Sequence, residues 1–73
     1  MMYSLYINGS DDPIPVEYRN LVPRIGEQIS YCNGPLGQGN FQRLRVTDVI
    51  HLVTDNAERG SFTSIVAVHA RTI

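Results

Sequence analysis

"FQRLRVTDVIHLVT", residues 41 to 54, is the longest stretch that alternates like a β-strand. Leu44 and Val46 share one face. The next residue in that phase is Asp48, a carboxylate where an apolar side chain is due. Val49 restores the apolar position one residue late. A bulge at Thr47–Asp48 resolves the conflict, because it inserts one residue and bends the strand. Small barrels need such a bend to close. The alternative is an unbroken strand running in phase through Ile50 and Leu52. The bulge is the preferred reading.

Outward from this stretch the same period recurs. "EQISYC" (27–32) sets Ile29 and Tyr31 on one face, directed inward. It is preceded by "VPRIG" (22–26), in which Pro23 biases Val22 toward extended backbone and Gly26 is free to take the positive φ of a sharp corner. Glu27 then sits at the mouth of the strand. "MYSLYIN" (2–8) places Tyr3, Leu5 and Ile7 together. "IPVEY" (14–18) places Ile14, Val16 and Tyr18 together. Pro13 and Pro15 lack an N–H, so this piece is an edge strand or an extended arm. A first hairpin spans residues 2 to 19, with the turn formers "NGSDDP" (8–13) between its arms. "SFTSIVAVHARTI" (61–73) is the last strand, with Phe62, Val66, Val68 and Ala70 on one face. It follows a turn near Ala57–Glu58. Five strands and no helical period predict one all-β domain over residues 1 to 73, a small five-stranded barrel.

"IGEQI", the glycine-rich loop after it and "LRVTDVI" resemble the entry of SH3-like barrels. There Gly-Asp/Glu-x-Val/Ile opens a strand, a loop follows, and a bent strand carries x-V-x-x-V. KOW-type barrels of ribosomal and transcription proteins share the outline. So do small uncharacterised bacterial and phage-type proteins with a PRxGE segment. The resemblance covers residues 23 to 50 and implies an SH3-like barrel. It does not fix a function. KOW-type barrels usually carry lysines in and beside the loop, whereas "GPLGQGN" (34–40) carries no charge.

Composition narrows the classes. The chain has 73 residues, 42% hydrophobic and 18% charged, with a net charge of -1. That is a globular balance without general attraction to nucleic acid. A domain of this size buries only about 60% of its unfolded surface, so its core is small. The single cysteine, Cys32, allows no internal disulfide and points to a reducing compartment. "MMYSLYINGS" has neither the basic start nor the apolar run of a signal peptide, and no segment is apolar enough to span a membrane. A cytoplasmic protein is expected, and Asn8-Gly9-Ser10 is read as a turn rather than a glycosylation site.

Chemistry-bearing clusters are sparse. Across a hairpin turning near Ala57–Glu58, His51 lies opposite about residue 65 and His69 opposite about residue 47. Four residues of strand, roughly 13 Å, then separate the histidines. A zinc ion needs its ligands within about 2 Å of itself, so no metal site is expected. Cys32, Ser61 and Ser64 lack the context of a nucleophile, such as G-x-S-x-G. "GPLGQGN" offers backbone N–H groups to a phosphate but lacks the ending and the helix of a P-loop. No enzyme activity and no cofactor are expected.

The strongest pattern is Phe41, Arg43 and Arg45, alternate residues on the face opposite Leu44 and Val46. All six basic residues of the chain are arginine. Aromatic and arginine side chains are enriched at protein interfaces. They also stack on bases and hold phosphates. The bland reading pairs Arg43 and Arg45 with Glu27 or Asp48 as solvated edge charges. Tyr6, out of phase with Tyr3 and expected to be the most exposed tyrosine of the first hairpin, joins the candidate binding residues. The expected function is a non-enzymatic binding or accessory protein acting through protein contacts. A homodimer would cover exposed strand edges. A nucleic-acid-binding barrel is the alternative.

Overall fold

A computed structural model describes residues 1–34, 39–56 and 61–73, with the side chains of 33, 55, 56 and 61–64 left aside. Five strands follow in chain order: β1 (Met2–Ile7), β2 (Ile14–Glu17), β3 (Gln28–Asn33), β4 (Asn40–Asn56) and β5 (Ser61–Thr72). They form one mixed sheet in the order β2-β1-β5-β4-β3, curled into a half-barrel. The all-β, five-stranded expectation therefore holds. Among the described residues no helix is long and apolar enough to cross a membrane.

The bend expected in β4 is present. Val46 faces Ala70 and Asp48 faces His69, so the register slips by one residue at Thr47. The slip keeps Val49 in the phase of Leu44 and Val46, opposite Val68. It turns Asp48 to the outer face, which avoids burying a carboxylate without a partner.

The corner before β3 follows from its residues. Gly26 has φ 91°, in the region that favours glycine. Glu27 N–H donates to Arg24 O at 3.0 Å, closing the turn. The Glu27 carboxylate accepts from Arg24 N–H. Gly26 N–H then bonds Val46 O and Val46 N–H bonds Glu27 O, both at 2.9 Å, which locks the corner to β4 just before the bulge. At the other end Asn8 and Gly9 take φ 53° and 74°. Both are positive, as an Asn-Gly turn of the primed type requires.

The first hairpin forms as expected, with Tyr3 opposite Val16 and Ser4 opposite Pro15. β2 is an edge strand, the place where prolines are tolerated. The unexpected pairing is between β1 and β5, which run parallel from Tyr3↔Val66 to Ile7↔Ala70. This pairing brings the two ends of the chain into the sheet centre and builds the core there. Tyr3, Leu5, Leu44, Val46, Val66, Val68 and Ala70 are buried, and Ile7, Ile14, Val16, Tyr18, Val22, Ile29, Tyr31 and Val49 pack against them. Among the described side chains, the inward faces of the five strands match the alternation of the sequence, with Phe62 outside them. Among the described residues Leu5, Leu44, Val46 and Val68 are the fully enclosed large side chains. Each contributes about 1.5–3 kcal/mol of burial.

Candidate functional site

The convex face of the sheet carries the candidate residues. Alternation along β4 sets Phe41, Arg43 and Arg45 on the side opposite the buried Leu44 and Val46, and all three are exposed. Phe41 keeps 60% of its surface open to solvent. An aromatic ring so exposed is worth explaining in a chain whose core is this small.

β5 adds a residue that the sequence reading did not include. Arg71 stands directly opposite Arg45 on the β4–β5 ladder and is exposed. The signal was present, since Ala70 belongs to the buried phase and Arg71 must face the other way. Like charges placed directly opposite are unfavourable. Glu27 Oε1 is engaged by Arg24 N–H, and Asp48 Oδ1 accepts from Val49 N–H at 3.0 Å. Arg45 instead donates to Gly26 O at 3.1 Å, a carbonyl without charge. The face therefore holds Arg43, Arg45 and Arg71 with Phe41 at one end.

Tyr6 lies apart from Phe41. It sits on β1, with β5 between it and β4. It is half-buried, its ring stacked on the His69 imidazole with centroids 4.8 Å apart and planes 11° from parallel. Tyr6 and His69 are register partners on the parallel strands, and Asp48 faces His69 from the other side. This row adjoins Arg45 and Arg71 along the convex face. Tyr3 is buried and its ring meets Tyr18 at 5.6 Å. Burial raises the Tyr3 phenol above its ordinary pKa of 10.0 by penalising the charged form.

The histidines are separated by the sheet itself. His51 is the register partner of buried Val66 and lies on the concave side, whereas His69 lies on the convex side. His51 lines an open concave cleft of about 630 Å³ together with Tyr18, Leu21, Val22, Ile25 and Val49. The Cys32 thiol, half-buried, donates to Gly34 O at 3.6 Å. The loop reading of "GPLGQGN" as a phosphate cradle falls on residues 35–38, and the turn at Ala57–Glu58 falls on 57–60. Both lie outside the described residues, as do the side chains of Phe62, Ser61 and Ser64.

Comparison of the chain with protein-family models, with curated proteins and with solved structures finds no match in any of the three.

Proposed function

We infer that the chain is a small non-enzymatic binding module that engages a protein partner through its convex face. The observation that carries this reading is the opposition of Arg45 and Arg71 beside Arg43, with exposed Phe41 on the same face. Opposed like charges cost stability, so they persist where something else uses them. Arginine presents a planar fork that suits carboxylates, and an exposed aromatic ring supplies the apolar anchor of an interface. A partner surface bearing Asp or Glu side chains around an apolar pocket fits both. The single cysteine supports a reducing, cytoplasmic setting.

The test compares capture by the wild-type chain with capture by Arg43→Ala/Arg45→Ala from nuclease-treated lysate. A discrete protein retained by the first and lost by the second supports the reading. Equal retention by both removes the convex face from consideration. One observation favours a second reading, a nucleic-acid-binding barrel. Three arginines on adjoining strands beside an aromatic ring also fit a single strand of nucleic acid. The net charge of -1 opposes it. Capture that disappears with nuclease, with affinity falling steeply as salt rises, would favour it.

A further inference from the structure

The outer half of the β4–β5 hairpin is unlike the rest of the sheet. β3 pairs with β4 only over residues 40–45, and the corner at Gly26–Glu27 adds Val46. β1 pairs with β5 only over Val66–Ala70. Beyond those points, among the described residues, β4 and β5 pair with each other alone, from Leu52 opposite Ile65 to Asn56 opposite Ser61. The molecule measures 46 × 24 × 23 Å.

This extension carries an open strand edge. Val46 directs its N–H and C=O toward β3. Carried across the one-residue bulge, the alternation directs the backbone of Val49, His51 and Val53 to the same side, where β3 no longer runs. Asp48 Oδ1 caps the first of these donors, Val49 N–H. From Val49 to Thr54 the edge reads "VIHLVT", with no Asp, Glu, Lys or Arg, no proline and no glycine. Beyond the bulge and Asp48, this run has no charge or proline to protect the edge. Its side chains are apolar on both faces: Ile50, Leu52 and Ile65 are 40%, 52% and 51% exposed on the convex side, and Val53 is 65% exposed on the concave side.

The whole chain also exposes more surface than its mass warrants. A compact monomer of 8.2 kDa exposes about 4,500 Å². This one exposes 5812 Å². Its radius of gyration is 14.0 Å, against about 11 Å for a compact domain of this length. The surplus exceeds the roughly 800 Å² that each partner hides in a standard interface.

We propose that the β4 edge from Asp48 to Asn56 pairs antiparallel with the same edge of a second copy, about a two-fold axis at Leu52. The two five-stranded sheets then join into one. An antiparallel edge is its own complement under a two-fold axis, and such an interface closes at two subunits. The pairing satisfies the outward backbone groups and brings Leu52 and Ile65 of both copies into one apolar patch. The central run from Val49 to Thr54, without Asp, Glu, Lys or Arg, offers a charged hetero-partner little to select. The arginine face is left open on each subunit, so the dimer is compatible with the binding reading and independent of it.

Sedimentation equilibrium at micromolar concentration tests this, with far-UV circular dichroism to confirm folding. The wild-type chain is expected at twice the 8.2 kDa protomer mass. Val53→Pro removes one outward donor that β5 does not use and is expected to give a folded monomer. Should that variant fail to fold, Leu52→Lys, at an exposed position, decides instead: it too is expected to be monomeric. A wild-type monomer that captures a foreign strand, open-ended oligomers, or a dimer untouched by the deciding variant would each overturn the proposal.

Discussion

The Tyr6 ring lies flat on the His69 imidazole, 4.8 Å between centroids, and so bridges the parallel strand pair β1–β5. The two side chains are held there by direct register across β1 and β5. The stack has a spectroscopic consequence. His69 ring protons should resonate upfield of those of His51, which lies on the other face. Tyr6→Leu should remove the difference and cost about 0.5–1.5 kcal/mol beyond lost burial. Equal shifts for both imidazoles in the wild-type spectrum would show that the stack does not form in solution.

Leu44 concentrates stability in one side chain. It is fully buried where β3, β4 and β5 meet, opposite both Ile29 and Thr72. Leu44→Ala should cost about 2–5 kcal/mol in urea unfolding. A domain of this length is stable by only about 4–11 kcal/mol in total. The same truncation at Ile50, 40% exposed on the convex side, should cost far less. Comparable midpoint shifts for the two variants would contradict the assignment of faces on either side of the bulge.

That assignment also shows what the sequence made legible. Asp48 breaks the alternation of β4, and a carboxylate cannot face the core unpaired, so the bulge could be read before any coordinates. Gly26 and Asn8-Gly9 announced their turns through backbone sterics alone. The parallel pairing of β1 with β5 could not be read. Alternation says which face a residue takes, not which strand lies beside it, and that neighbour is fixed by packing across sixty residues of chain. Arg71 was missed for a related reason. Its phase was visible beside Ala70, but its position against Arg45 needed the hairpin register, for which the sequence estimate ran about one residue off: His51 faces Val66 rather than residue 65. Tyr6 was expected in the open because it is out of phase with Tyr3. Its partner His69 comes from the pairing that alternation does not reveal.

Arg71→Glu separates stability from binding. It replaces an opposed pair of like charges with an opposed pair of unlike ones across the β4–β5 ladder. Cross-strand pairs of this kind contribute roughly 0.2–1 kcal/mol. The variant should therefore melt slightly higher than the wild type at low salt, and the gain should shrink as salt screens the pair. If the arginine face is the binding surface, the same variant should bind its partner less well. A variant both less stable and undiminished in binding would show that Arg71 does neither job.

Tyr3 sets the alkaline limit of the fold. Its phenol is buried against Tyr18, and burial raises its pKa above 10.0 in the folded chain. In the unfolded chain the phenol ionises near the ordinary value of about 10. The folded state therefore favours the neutral form, and its contribution is complete below that unfolded value. It declines as pH rises through the folded pKa, because the unfolded chain releases the proton more readily. Stability should fall above about pH 10. Tyr3→Phe should flatten that fall while leaving stability at pH 7 nearly unchanged, since the phenol oxygen has no fold-specific charge to lose there. Unfolding free energies measured by urea titration across the alkaline range check this. A wild-type profile that runs parallel to that of Tyr3→Phe would place the linkage on another group.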